Sequence, residues 1–129
     1  VRSGAYTGDS ALVTKDYDGC IAGYDMVATP IACSSEFLAY ALLSHYVLYE
    51  QIYLMRMRSA QPHLNAEELN EILIALPPND EQLKISRYID RTDKEISTSL
   101  QIIQKQIEKL QEYKTTLINS AVTGKIKVV

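Results

Sequence analysis

The sequence predicts an α+β chain: a partial domain of short strands and small helices over residues 1–78, one long helix over 79–123, and a tail over 124–129. Three observations predict this. Short β-rich runs bounded by turn residues recur in the first part. Apolar residues recur at alternating spacings of four and three in the second. The two regimes meet abruptly at Leu76-Pro77-Pro78-Asn79-Asp80-Glu81-Gln82. The prolines remove backbone donors and bias the residue before them toward extended geometry, so no helix crosses them from the left.

In chain order, Ser10-Ala11-Leu12-Val13-Thr14 reads as a strand and Asp16-Tyr17-Asp18-Gly19 as a turn. Cys20-Ile21-Ala22 and Asp25-Met26-Val27-Ala28-Thr29 read as further strands, the last stopped by Pro30. Ser34 or Ser35 caps a helix whose apolar face is Phe37, Leu38, Ala41 and Leu42. A second helical pattern, Val47, Leu48, Ile52 and Met55, makes a helical hairpin around Ser44-His45. Tyr40, Tyr46, Tyr49 and Tyr53 fall here, and at helical spacing they read as an amphipathic core edge rather than a base-stacking platform. The polar, proline-broken stretch from Arg58 to Asn65 reads as an exposed loop. Asn65 then caps a short helix, with Glu68 in capping-box position. Glu71-Ile72-Leu73-Ile74-Ala75-Leu76 is expected as the last strand.

Asn79 or Asp80 is expected to cap the long helix, with Asp80 and Glu81 placing negative charge at its positive end. Its apolar seam is Ile96, Leu100, Ile103, Ile107, Leu110, Leu117 and Ala121. Lys114 stands where an apolar residue is expected, a known way of fixing register at some cost in stability. As a single helix, the 42 residues 80–121 span roughly 60 Å. Such a rod needs a second helix to pack against. Helix signals stop at Gly124.

Composition narrows the function classes. With 47% apolar and 22% charged residues, the 129-residue chain belongs with folded proteins, one domain plus an appendage. No apolar run approaches membrane-spanning length, and with no visible signal peptide the expected compartment is the cytoplasm. The chain starts at Val1 rather than methionine, which reads as a fragment or truncated product. Cys20 and Cys33 lack metal or redox spacing and read as reduced thiols, a disulfide being the alternative. His45 and His63 are too isolated to suggest a metal site. Residues 1–79 carry four cations against nine acids, a net −5, and the remainder carries +2. A domain so poor in cations displaces few counterions, which argues against an independent DNA binder. Glycine-rich phosphate loops, nucleophile motifs and methyltransferase signatures are absent from the sequence, so neither catalysis nor a cofactor is expected.

The strings Leu76-Pro77-Pro78, Glu81-Gln82, Ile107-Glu108-Lys109-Leu110-Gln111-Glu112-Tyr113-Lys114 and Ala121-Val122-Thr123-Gly124-Lys125-Ile126 resemble the end of a DNA-specificity subunit of type I restriction-modification systems. In that family a "PLPPLxEQ" element leads into a spacer helix closing with "LLKEYRxxLIxxAVTGKI". Ala75, Asn79 and Asp80 depart from it, where the family more often has Pro, Leu and Glu. The N-terminal part resembles, more loosely, the C-terminal portion of a target-recognition domain.

The resemblance implies a non-catalytic subunit in which two recognition domains, held apart by antiparallel spacer helices, read a bipartite duplex DNA target. Methyltransferase subunits then clamp around them and restriction subunits join. A chain with one such helix is expected to homodimerise through it. On that reading Arg56, Arg58, Ser59, Gln61 and His63 are the leading DNA contacts, with Lys15 as a secondary phosphate contact. The alternative is a coiled-coil module that binds protein, not DNA, and competes with an intact specificity subunit.

Overall fold

The computed structural model describes residues 1–57 and 61–128. They fall into two units, Val1–Arg87 and Tyr88–Val129. The elements are a 3-10 turn, Lys15–Tyr17; α1, Ser35–Leu43; α2, His45–Val47; a π turn, Leu48–Ile52; α3, Tyr53–Arg56; α4, Ala66–Asn70; and α5, Asn79–Val122.

The expected α+β architecture is overturned. Among the described residues there is no strand, and β pairing amounts to an isolated antiparallel bridge between Ser3 and His63. The run 71–76 shows why. Its side chains alternate as far as Ala75, Ile72 and Ile74 half-buried and Leu73 exposed, and exposed Leu76 breaks the pattern. Its backbone, however, meets a side chain instead of a strand. The Gln51 amide donates to the Leu73 carbonyl at 2.9 Å and accepts from the Leu73 N–H at 2.8 Å. Period-2 patterning sets which face is buried, but a strand needs a partner backbone as well.

The helical expectations fare better. Ser34 Oγ accepts from the Phe37 N–H at 3.1 Å and caps α1. Ser44 both closes α1, donating to the Ala41 carbonyl at 2.6 Å, and opens α2, accepting from the Val47 N–H at 3.3 Å. The expected turn at Ser44-His45 thus shrinks to one residue. The second helical pattern is interrupted by the π turn, a wider winding usually confined to a single turn. Asn65 and Glu68 form the expected capping box, with bonds of 2.7 and 2.9 Å.

The apolar core of the first unit is Phe37, Val47, Ile52 and Leu64. The N-terminal segment closes over it. The Gly4 N–H donates to the Pro62 carbonyl at 3.0 Å, the Leu64 N–H to the Arg2 carbonyl at 2.8 Å, and buried Thr7 Oγ1 to the carbonyls of Gly4 and Pro62. Gly8, at φ +95°, lies directly against Ile52, where a Cβ would collide with the Ile52 side chain.

Where α5 begins, the expected cap is corrected. The helix starts at Asn79, and the Pro78 carbonyl accepts from the Glu81 and Gln82 N–H groups at 2.9 and 3.0 Å. Proline lacks only the donor, so its carbonyl serves as well as any other at this position. Gln82 is 1% exposed and its amide is fully used. It accepts from the Ser34 N–H at 3.1 Å and donates to the Pro77 carbonyl at 2.9 Å and to Asn79 Oδ1 at 3.3 Å.

The second unit contains α5 from Tyr88 onward and the residues after it. The helix ends in a Schellman motif: Gly124 at φ +70°, its N–H on the Ala121 carbonyl at 3.2 Å, and the Lys125 N–H on the Ser120 carbonyl at 2.9 Å.

Candidate nucleic-acid interface

Two surfaces follow from these elements, one in each unit. In the first unit the sequence singles out the residues around the connection from α3 to α4. Arg56 sits in the last turn of α3, half-buried, its guanidinium 4.9 Å from the centre of the Tyr53 ring. That stacking holds the planar fork near the helix end. Gln61 is exposed. Arg58 and Ser59 lie outside the described residues.

His63 is half-buried and partnered. Its Nε2 is 3.3 Å from an Arg2 terminal nitrogen. Arginine has only donors, so in this contact the guanidinium donates and Nε2 is the acceptor. Arg2 is the residue the sequence reading passed over. Its guanidinium lies 4.7 Å from the centre of the Tyr24 ring, its backbone N–H reaches Asp25 Oδ1 at 3.3 Å, and its Nε is buried without a hydrogen-bond partner. His63 and Arg2 are 61 positions apart in sequence, and no local pattern joins them. The Ser3 to His63 bridge does. Lys15 is exposed in the 3-10 turn and flanked by Asp16 and Asp18. Those carboxylates offset its attraction for phosphate.

A separate cleft of about 580 Å³ lies between residues 9–13, 22–30 and α1. Leu12, Val13, Met26, Val27, Leu38 and Leu42 line it, and it contains none of the candidate DNA contacts. Cys20 and Cys33 are free thiols, one exposed and one half-buried.

The second surface is the seam of α5. Ile96, Leu100, Ile103, Ile107, Leu110 and Leu117 are between 43% and 66% exposed. The continuity of the helix carries the same spacing upstream of Ile96, to Asp93 and Ile89. Earlier still, Gln82 and Ser86 occupy equivalent positions and are buried in the first unit. A stripe of aliphatic side chains along one helical face is a surface built for another helix.

A family model described as the type I restriction modification DNA specificity domain matches residues 1–109. No solved structure matches the chain.

Proposed function

Because the chain belongs to the type I restriction modification DNA specificity family, we propose that it contributes one DNA-reading unit and one spacer helix, and that two copies pair through α5 to assemble a bipartite reader. Methyltransferase subunits bind that assembly, restriction subunits join it, and both carry the chemistry. The work takes place in the cytoplasm, with the DNA. The observation that carries the pairing is the open aliphatic seam of α5 in the second unit. Within the domain organisation 1–78, 79–123 and 124–129, the reader comes first and the spacer follows.

DNA contact falls to the connection after α3, with Arg56, Arg58, Ser59, Gln61 and His63, and with Lys15 on phosphate. Arginine and glutamine suit guanine and adenine edges through paired hydrogen bonds. Arg2 joins them as the residue that orients His63.

A second reading has its own support. The net charge of −5 over residues 1–79 suits a protein-binding module better than a DNA binder, and such a module would displace an intact specificity subunit. One experiment separates the two. The chain is co-expressed with methyltransferase subunits, and the complex is tested for a gel shift on bipartite duplexes and for methylation of them. A sequence-specific shift supports the reader, and its reduction by Gln61→Ala supports the contact surface. A complex that suppresses DNA binding by an intact subunit supports the competitor.

A further inference from the structure

We propose that Asp93 and Lys114 set the orientation and register of the α5 pair, by forming two symmetry-related ion pairs between antiparallel copies. This rests on the homodimer reading above and specifies how the two copies meet.

Ile89, Asp93, Ile96, Leu100, Ile103, Ile107, Leu110, Lys114, Leu117 and Ala121 form one uninterrupted seam of alternating four-and-three spacing within the second unit. Its charged members are Asp93 and Lys114. Both are exposed, and neither has an opposite charge three or four positions away on its own helix. Asp93 has Ile89, Asp90, Ile96 and Ser97 at those positions; Lys114 has Leu110, Gln111, Leu117 and Ile118. Off the seam, Arg91 and Glu95 and also Lys84 and Asp80 make local pairs of that kind. The seam charges are therefore unmatched at these spacings on their own helix and open to an opposite charge from a second copy.

Orientation decides what they meet. In a parallel, in-register pair each seam residue faces its own copy, so Asp93 faces Asp93 and Lys114 faces Lys114 in the core, and both contacts repel. In an antiparallel pair with the whole seam overlapped, Ile89 lies opposite Ala121, Asp93 opposite Leu117, Ile96 opposite Lys114, Leu100 opposite Leu110, and Ile103 opposite Ile107. Every layer is filled with no overhang. Asp93 and the other copy's Lys114 then occupy adjacent layers, about 5 Å apart along the axis, within reach of the flexible lysine stem. The twofold axis repeats the contact. The positions flanking the core are Asp90, Thr92, Ser97, Ser99, Gln104, Gln106, Gln111, Tyr113, Ile118 and Ser120, of which only Asp90 is charged. Flanking charges of both signs usually settle orientation in a coiled coil; with only Asp90 and no flanking cation, that task falls to the core.

The test is sedimentation equilibrium on the full chain at low salt with three variants. Asp93→Lys and Lys114→Glu each turn two attractions into two repulsions and should weaken self-association roughly tenfold. The double variant Asp93→Lys/Lys114→Glu should regain most of the loss. In a parallel dimer the single variants only exchange one like-charge contact for another, so unchanged association by both would overturn the proposal while leaving dimerisation intact. A chain monomeric at tens of micromolar would overturn both. An independent readout comes from a spin label at Asn119→Cys on a Cys20→Ser/Cys33→Ser background. Antiparallel pairing puts the two labels about 40 Å apart, and parallel pairing below about 25 Å.

Discussion

Gln82 shows how much one side chain can join. The sequence marks it only as part of a run after two prolines, and glutamine is ordinarily a surface residue. Its burial is made tolerable by complete use of its hydrogen-bonding groups. Gln82→Ala leaves the Ser34 N–H and the Pro77 carbonyl unmatched and should cost about 2–4 kcal/mol, measured as a lower urea midpoint at unchanged m-value. Gln82→Glu is expected to be no rescue, because a carboxylate cannot donate to the Pro77 carbonyl. Gly8 is a second such residue. Gly8→Ala combines a left-handed backbone with a collision against Ile52 and should cost about 2–3 kcal/mol by the same measurement. Neither contact is legible beforehand. Each depends on which distant side chain arrives, and local pattern carries no such information.

Among the elements, the caps at Ser34 and Asn65 and the stop at Gly124 were legible because a cap is a local contract between residues three or four apart. Gly124→Ala should fray the last turn of α5 and cost about 1 kcal/mol, seen as faster amide exchange at Lys125. The absence of strands was not legible, because the runs at 10–14, 20–22, 25–29 and 71–76 have strand composition but no strand to pair with among the described residues. Gln51→Ala tests the substitute at Leu73. These exposed bonds are worth about 0.5–1 kcal/mol, so global stability should barely change while exchange of the Leu73 amide accelerates. The π turn had no sequence signal that we can identify. Its residues read as ordinary helix.

For the molecule as a whole, patterning and charge change at the two prolines, whereas the two structural units divide between Arg87 and Tyr88, inside α5, and the pairing of Arg2 with His63 required the folded first unit. The acidic balance of residues 1–79 gives a prediction at this scale. Alone, the chain should bind non-specific duplex weakly, with a log affinity against log salt slope no steeper than about −3, because few cations face phosphate. Fluorescence anisotropy over a salt series measures it, and a steep slope would show that α5 carries the contact. The hydrogen bond from Ser34 to Gln82 also has a consequence in time. Its two ends are 48 residues apart, so a growing chain exposes the Ser34 amide roughly 2–10 s before its acceptor is made. Until the first turn of α5 leaves the ribosome, the earlier residues lack the group that completes their interior, and α5 in effect schedules the maturation of everything before it.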